Sequence, residues 1–364
     1  MKLKINRKDL AKHISIVQKA ISTRTTMQIL EGILLIAKDN MLTLISSDEK
    51  LSIKTNLSTI INEEGSCVVN ARLFGEIIRK LTDDTLDISV QNYNMNIKAE
   101  RSNFNIQVQN ANEFPNLPDI DDESSIKINS ESFIDAIRKT SFAVSLDETR
   151  KNFTGVFMNV ESGSISFVAL DGFRMALKSI KNETDKEISA IIPARALNEI
   201  VKIIEDEEFV EIVVSDNQIK FVLKNTEVYS TRISGEFFNY EGLIRNDHSF
   251  ICNTNREEFQ NALERASLLA KEEKANLVKL EVCENSILIS SNSEIGSVEE
   301  NVESENNGHD LKIAFNSKYL LEGIRNMTSE KIQLNFTDSV NPCIIKEEDD
   351  KDYIYLVLPV RLAN

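Results

Sequence analysis

The chain has 364 residues, of which 41% are hydrophobic and 27% charged, enough to bury a core over two or three domains, so a disordered chain is excluded. It has no run of about 18 apolar residues, and charged and apolar residues alternate at its amino terminus, so we expect a cytoplasmic protein without a membrane span or secretion signal. The formal net charge of −16 argues at first sight against nucleic acid, because DNA affinity comes from clustered Lys and Arg.

Short strands that lead into helices recur along the chain. A strand at residues 3–6 leads into a helix from Arg7, and the pattern returns at residues 126–129 and 250–253. The apolar residues that follow each strand are spaced by three and four, which is typical of a helix with one buried face.

A second kind of segment repeats with the same period. Helices that begin near Asn70, Pro193 and Asn316 each follow a short apolar strand and precede another strand after an acidic turn, and these starts are 123 residues apart. Such self-similarity indicates a repeated structural unit. The sequence therefore predicts an α+β fold of three similar domains, each with two helices packed on antiparallel sheets of about eight strands.

Composition predicts where the repeats end. Residues 113–118 (Glu-Phe-Pro-Asn-Leu-Pro) and the acidic residues 119–123 suit a turn and a solvated connector, and residues 236–240 occupy the equivalent place in the second repeat. We therefore place the domains at residues 1–120, 121–245 and 246–364.

Charge is distributed unevenly between the predicted helices and the rest of the chain. Six helical segments carry a net charge of +7, so the remainder carries −23. Helices that line one surface would attract phosphate there, while the acidic remainder would repel it. The alternative is that Lys and Arg simply occupy solvated helix faces. The candidate cations are Arg7, Lys8, Lys12, Lys19, Arg72, Arg79, Lys80, Arg138, Lys139, Arg195, Lys202, Arg265, Lys318 and Arg325.

Catalytic and metal-binding motifs are absent from the sequence. It contains no phosphate-binding glycine loop, no HExxH and no GxSxG. The four cysteines are far apart and are predicted to be buried, reduced thiols, and acidic runs such as residues 205–208 suit turns better than metal sites. We expect no catalytic residues, no cofactor and no metal.

Several short motifs, in the same order along a triplicated chain, resemble the beta subunit of bacterial DNA polymerase III, the DNA sliding clamp. They are Thr26-Met27-Gln28-Ile29-Leu30 after Arg24, Glu113-Phe114-Pro115-Asn116-Leu117, Asp171-Gly172-Phe173-Arg174-Met175-Ala176, Thr337-Asp338-Ser339-Val340 and the segment from Tyr355 to Leu362.

This resemblance implies three domains of the DNA-clamp fold and a head-to-tail homodimer that forms a ring around double-stranded DNA. Such a protein holds DNA without sequence preference, because phosphate contacts do not read bases. It is a non-catalytic subunit of the polymerase holoenzyme and is found on the nucleoid during replication. The residues expected to face DNA are Arg24, Arg7, Lys12, Arg72, Arg79, Lys80, Lys139, Arg195 and Lys202.

The resemblance also implies a cleft between the second and third domains that binds a short peptide containing Gln and Leu or Phe. Replicative polymerase, the clamp loader and other partners supply this peptide. Three residues depart from the common family pattern: Leu170 in place of Thr, Phe173 in place of His and Phe238 in place of Pro. The two phenylalanines make the cleft more aromatic. The matching residues are Phe153, Gly172, Phe173, Arg174, Met175, Phe238, Leu243, Asn316, Tyr319, Val340, Pro342, Leu358, Pro359, Val360 and Arg361.

The same resemblance predicts a dimer interface with an apolar centre flanked by opposite charges, which joins two strand edges. On the first domain it implies Lys98, Arg101, Phe104 and Ile106, and on the third Leu268, Leu269, Glu299, Glu300 and Glu303. Two alternatives stay open on the sequence alone. One is a triplicated peptide-binding scaffold that never meets DNA, and the other is an enzyme whose site is built from dispersed carboxylates.

Overall fold

The computed structural model describes residues 1–22, 25–120, 125–244, 248–271 and 276–361. These residues form six α-helices and 25 β-strands, and the two helices predicted for each repeat are confirmed. The helices are α1 (Arg7–Val17), α2 (Ala71–Lys80), α3 (Ser130–Thr140), α4 (Ala194–Val201), α5 (Arg256–Ala270) and α6 (Ser317–Ile324).

The chain packs into two compact units. Unit 1 contains Met1–Ser130 and Glu199–Arg232, and unit 2 contains Glu131–Asn198 and Ile233–Asn364. The middle third of the chain therefore contributes strands to both units. The division into three domains at residues 120 and 245 stays a prediction, because compactness alone does not separate the middle repeat.

Unit 1 is built on one antiparallel sheet of 13 strands. The strands are β1 (Lys2–Asn6), β2 (Gly32–Lys38), β3 (Met41–Ser47), β4 (Leu51–Ser58), β5 (Ile60–Glu63), β6 (Gly65–Asn70), β7 (Thr85–Gln91), β8 (Asn94–Lys98), β9 (Asn103–Gln109), β10 (Ser125–Asn129), β15 (Phe209–Val214), β16 (Gln218–Val222) and β17 (Thr226–Thr231). Their order across the sheet is β10-β15-β16-β17-β4-β3-β2-β6-β9-β8-β7-β1-β5.

Unit 2 is built in the same way on 12 strands. They are β11 (Gly155–Glu161), β12 (Ser164–Leu170), β13 (Arg174–Lys181), β14 (Ile188–Pro193), β18 (Phe250–Asn255), β19 (Leu277–Val282), β20 (Ser286–Ser293), β21 (Gly296–Asn306), β22 (Leu311–Asn316), β23 (Lys331–Phe336), β24 (Cys343–Glu347) and β25 (Tyr353–Val357). Their order is β14-β11-β12-β13-β25-β24-β23-β18-β21-β20-β19-β22.

Asparagine side chains determine where four of the helices begin. Asn6 and Asn255 each accept hydrogen bonds from two backbone N–H groups in the first turn of α1 and α5. Asn70 and Asn316 each accept one at the start of α2 and α6. These N–H groups have no partner inside the helix, so a side-chain acceptor stabilises the helix start. The strand-to-helix junctions recur with the repeat because the same local chemistry recurs.

Each unit contains one strand pair that joins two repeats, β4 with β17 in unit 1 and β13 with β25 in unit 2. We call these the unit 1 junction and the unit 2 junction. The turn before β4 begins at Asp48, whose Oδ1 accepts hydrogen bonds from N–H groups two and three residues later at 3.1 and 2.8 Å. Asp171 does the same before β13 at 2.9 and 3.1 Å. The following residue has a positive φ in both turns, 72° at Glu49 and 92° at Gly172.

The hydrogen bonds that close the two junctions also match. In unit 1 the N–H of Thr231 donates to the carbonyl of Lys50 at 2.9 Å, and in unit 2 the N–H of Leu358 donates to the carbonyl of Phe173 at 2.8 Å. The internal repeat therefore extends from the order of elements to individual backbone contacts.

The sequence predicted buried, reduced cysteines and no membrane span, and both predictions can be compared with the described residues. Three of the four cysteines, Cys67, Cys252 and Cys343, are buried, Cys283 is half-buried, and all are free thiols. No helix in the described part of the chain is long and apolar enough to cross a membrane.

Candidate binding cleft

The turn at the unit 2 junction has a shape that its own sequence determines. Gly172 has a φ of +92°, a left-handed conformation that costs glycine little because it has no Cβ. A Cβ added there would first meet Nη1 of Arg150 at 3.8 Å, so the backbone conformation, and not a lack of space, favours glycine. The turn places Phe173 just before β13 and Arg174 at its first position.

Arg174 is buried, with 7% of its surface exposed. Its Nε donates to Oδ2 of Asp171 at 3.0 Å, its Nη2 donates to the carbonyl of Phe142 at 3.1 Å, and its Nη1 donates to Glu322 on α6. Burial alone would lower the pKa of this guanidinium, but the neighbouring groups, Tyr355 and the two carboxylates, raise it. Arg174 therefore holds the turn against α6 and does not offer a free cation to a ligand.

A cavity of about 300 Å³ lies beside this turn. Most of its lining is apolar, with few polar groups, which is the usual character of a site for apolar side chains. Seven of the residues predicted for the cleft lie in the lining, and three others complete it. The predicted residues are Phe153, Gly172, Arg174, Met175, Phe238, Leu243 and Leu358, and the additional ones are Arg150, Leu170 and Leu356.

Two of the additional residues had a signal in the sequence. Leu356 is two positions before Leu358, and side chains two apart on an extended chain point the same way. Leu170 pairs with Met175 across β12 and β13, so the hairpin pattern places them together. Arg150 had no such signal, because it lies in an irregular 3-10 segment where its own φ and ψ are not helical.

An apolar cluster supports the cavity from behind. Phe157 stacks on Phe237 with ring centroids 4.8 Å apart and planes at 8°, and Tyr240 meets the same Phe157 edge-on at 6.3 Å. Leu170 and Met175, which line the cavity, belong to this buried cluster. Close-packed aromatic side chains hold the lining in place, so the cavity is formed before any ligand arrives.

Eight predicted cleft residues do not line the cavity itself. Phe173 is exposed and stacks on Tyr319 at 5.9 Å, and Val360 donates its N–H to the carbonyl of Ala314 at 2.8 Å. Val340 is 60% exposed in a turn that Asp338 stabilises. The eight residues are Phe173, Asn316, Tyr319, Val340, Pro342, Pro359, Val360 and Arg361.

Lys139 is a correction to the predicted DNA-facing set. Only 3% of its surface is exposed, and its Nζ donates to Glu347 at 2.5 Å and to Asp350 at 2.7 Å. Lys178 on β13 also donates to Asp350 at 2.6 Å. This buried ion cluster connects the end of α3 with β13 and the β24–β25 hairpin. The charge distribution over the helices made Lys139 a candidate for a DNA-facing surface, but carboxylates far along the chain cover it.

The other predicted DNA-facing cations within the described residues lie on the accessible surfaces of helices or beside them. Arg72 pairs with Glu76 at 3.1 Å and Lys202 with Glu199 at 2.9 Å. Exposed pairs of this kind contribute little stability, so a phosphate can replace the carboxylate. Arg24 lies outside the described residues. The cations are Arg7, which is half-buried, and the exposed Lys12, Arg72, Arg79, Lys80, Arg195 and Lys202.

Each unit also has a strand edge without a partner in the described chain. In unit 1, residues 103–107 of β9 pair only with β8, and their edge carries Phe104, which is 38% exposed, and half-buried Ile106. Lys98 and Arg101 are exposed nearby in the sequence. An open edge can pair with another chain.

In unit 2, residues 296–303 of β21 pair only with β20. Exposed Glu299 and Glu303 lie on this strand, and Leu268 of α5 is 65% exposed while Leu269 is half-buried. Glu300 already forms an ion pair at 2.7 Å with Arg265 of its own chain.

Unit 1 has a cavity of its own, of about 540 Å³. It lies between the unit 1 junction and the connector at residues 111–117, and its apolar floor includes Leu34, Ile45 and Phe114. Lys54 and Tyr229 form part of its polar rim and both bond to Glu227, at 3.1 and 2.6 Å.

Models of three protein-family domains match nearly the whole chain. They describe the N-terminal domain of the DNA polymerase III beta subunit at residues 1–118, its central domain at residues 127–239 and its C-terminal domain at residues 242–361.

Named relatives agree with these matches. The chain is 36% identical to the beta sliding clamp of Bacillus subtilis, over 99% of this chain and 100% of that protein, and 32% identical to that of Staphylococcus epidermidis over 99% of both. The crystal structure of the Bacillus subtilis sliding clamp superposes with a TM-score of 0.95 over 100% of both chains. A Pseudomonas aeruginosa sliding clamp bound to griselimycin is 26% identical and has a TM-score of 0.95, again over 100% of both chains.

Proposed function

The chain belongs to the family of the DNA polymerase III beta subunit, and from this premise we propose that it is a DNA sliding clamp. Two protomers form a closed ring around double-stranded DNA and hold replicative polymerase on it. The observation that carries this proposal is that models of all three domains of the family match, in order, over nearly the full length of one chain. The protein acts as a non-catalytic processivity factor, and the three repeats at residues 1–120, 121–245 and 246–364 are its domains.

The helix cations hold the DNA loosely within the ring. Exposed cations such as Lys80 and Arg79 meet phosphates without reading bases, and the acidic remainder of the chain repels DNA from other surfaces. Three of the cations, Lys12, Arg72 and Lys202, already have carboxylate partners in the same chain, so their phosphate contacts are weak. Weak, equivalent contacts allow sliding, and the closed ring rather than affinity prevents loss of the DNA.

The two strand edges join protomers head to tail. Residues 103–107 of one protomer pair with residues 296–303 of the other, Phe104 and Ile106 pack on Leu268 and Leu269, and Lys98 and Arg101 lie opposite Glu299 and Glu303. An apolar centre with charges of opposite sign beside it is typical of a stable interface. Pairing also removes both open edges.

The cavity at the unit 2 junction binds partner peptides. It takes a Leu or Phe side chain, while Phe173, Tyr319, Val340 and the residues from Pro359 to Arg361 form the surrounding rim. Polymerase and the clamp loader present such a peptide, and competition for one cleft per protomer determines which partner acts.

The ring is tested by loading. The protein is placed by an ATP-driven clamp loader on nicked circular DNA, washed at high salt, and measured again after the circle is cut. We expect retention on the circle and release after linearisation, because only topology resists salt. A peptide-binding scaffold predicts no retention on either DNA, and equal retention on linear DNA with free ends contradicts the ring.

The cleft is tested by truncation. Removal of residues 358–364 takes Leu358 out of the cavity lining but leaves the edges of β9 and β21 intact. We expect loss of polymerase binding in a pull-down and a dimeric sedimentation coefficient. A monomeric product would show that the carboxyl-terminal segment belongs to the dimer interface instead.

A further inference from the structure

Phe173 stands exposed at the rim of the cavity, with 57% of its surface open to solvent. Its backbone is fixed on both sides, because its N–H donates to Asp171 at 2.9 Å and its carbonyl accepts from the N–H of Leu358 at 2.8 Å. Its sequence neighbours Gly172 and Arg174 both line the cavity. A large apolar side chain is therefore held in the open beside the space where a ligand side chain is buried.

The ring of Phe173 packs on Tyr319, which neighbouring residues hold in place. It stacks on Tyr319 with centroids 5.9 Å apart and planes at 17°, and Tyr319 in turn lies 4.7 Å from the guanidinium carbon of Arg174. The carbonyl of Tyr319 also accepts a hydrogen bond from the hydroxyl of Tyr355 at 2.6 Å. Because Tyr319 is held in place, little conformational entropy is left for Phe173 to lose when a ligand contacts it.

We propose that Phe173 is a specificity-determining residue of the cleft: its open ring surface receives an aromatic side chain of the bound peptide, next to the apolar residue that fills the cavity. This inference rests on the proposed peptide-binding function and names the chemistry of a second recognition position. The partners of this protein accordingly carry an aromatic residue where a polar amide would otherwise be expected.

An amide or a cationic side chain of the peptide would fit the surface of Phe173 less well than an aromatic ring. Phe173 has no hydrogen-bonding group, so an amide laid on it loses water without gaining a partner. A cationic side chain would be repelled by the like charge of Arg150, which lies beside the preceding residue: its Nη1 is 3.8 Å from the place where a Cβ of Gly172 would be. An aromatic ring loses only apolar hydration and gains stacking. We expect it to improve peptide affinity about three- to ten-fold.

The test uses the full-length protein and synthetic fluorescent peptides. All peptides end in Leu-Phe, and each carries Gln, Ala, Tyr or Trp at one of the three preceding positions. Dissociation constants are measured by fluorescence anisotropy. At one position we expect Trp and Tyr to bind about three- to ten-fold more tightly than Gln. Phe173→Leu, which keeps an apolar side chain but has no ring, should bring that ratio to one, and Phe173→Trp should keep it.

Phe209→Leu is the matched control. Phe209 is 49% exposed on β15 of unit 1, and its replacement should leave the ratio unchanged. Binding of all the peptides with equal affinity overturns this inference alone, as does an aromatic preference that survives in Phe173→Leu. A complete absence of binding by every Leu-Phe peptide overturns the cleft and this inference together.

Discussion

The unit 1 and unit 2 junctions have the same backbone and different surfaces. Both begin with an aspartate that caps its own turn, and both close with a backbone bond to the residue two positions after that aspartate, at 2.9 and 2.8 Å. In unit 1 that residue is Lys50, and in unit 2 it is Phe173. A duplicated backbone therefore does not by itself make two equivalent sites.

The cross-strand pair beside each turn shows where the difference arises. In unit 1, Ser47 pairs with Ser52, and their buried hydroxyls bond to each other at 2.7 Å. In unit 2, Leu170 pairs with Met175, and both line the cavity. Two hydroxyls that satisfy each other close the surface, whereas two apolar side chains leave it ready for an apolar ligand.

The largest difference we expect between the junctions concerns their ion pairs. Lys139→Ala leaves Glu347 buried without a cation and leaves Asp350 with Lys178 alone, so we expect it to destabilise unit 2 by about 3–5 kcal/mol. Lys54→Ala breaks the pair with Glu227 in unit 1, where both side chains are 30% exposed, and should cost about 1 kcal/mol or less. Urea denaturation, monitored by hydrogen exchange in each unit, measures the stability that each variant loses. Equal losses would mean that burial does not distinguish the two clusters.

A close approach at the unit 2 junction is expected to have the next largest effect. A Cβ on Gly323 of α6 would lie 2.0 Å from the ring of Tyr355, so Gly323→Ala forces the ring or the helix to move. Overpacking of this kind costs about 1–3 kcal/mol. Gly242→Ala is the control, since nothing lies within 4 Å of its Cβ position. Thermal unfolding measures both, and unchanged stability in Gly323→Ala would show that α6 adjusts freely.

Peptide binding should distinguish the two cavities. Leu243 lines the cavity of unit 2 and Leu117 that of unit 1. Leu243→Ala is expected to weaken binding of a Leu-Phe peptide about tenfold, a loss of about 1.4 kcal/mol, and Leu117→Ala to leave it unchanged. Isothermal titration calorimetry of the two variants measures this. A comparable loss in Leu117→Ala would assign peptide binding to both units.

Acid should destabilise unit 2 through the buried ion cluster around Lys139. We expect this effect to be the smallest of the four predicted in this section. Despite burial, hydrogen bonds from Lys139 and from backbone N–H groups hold the pKa of Glu347 below its usual 4.5, and Lys139 and Lys178 hold the pKa of Asp350 below 3.8. Both folded pKa values are depressed, so the stability they contribute is present above about pH 4.5 and is lost as the pH falls through the lowered values.

Thermal unfolding from about pH 6 down to about pH 3 measures this loss. We expect the loss to shrink in Lys139→Ala, because that variant lacks the cation that lowers both pKa values. An unchanged acid dependence in the variant would assign the loss to other carboxylates.

Much of the fold could be predicted because its determinants are local. Helix starts at Arg7, Ala71 and Ser317 follow from an asparagine and the apolar spacing behind it. The cleft was predicted in part, because the Asp-Gly turn and the terminal strand are short motifs. Leu358 was predicted from the family resemblance, and the alternation of side chains along an extended chain could have added Leu356. Arg150 lies on an irregular segment that no sequence pattern predicts.

By itself, the sequence determined the threefold repeat, the turns at Asp48 and Asp171 and the separation of basic helices from an acidic remainder. Only the tertiary structure decided which charges remain available. Lys139 lies on a helix whose spacing predicts an exposed cation, but its partners Glu347 and Asp350 are 208 and 211 residues away. Arg174 likewise meets Glu322 across 148 residues. Local hydrogen bonding depends on neighbours that the sequence places side by side, whereas burial of a charge depends on which distant carboxylate folding brings to it.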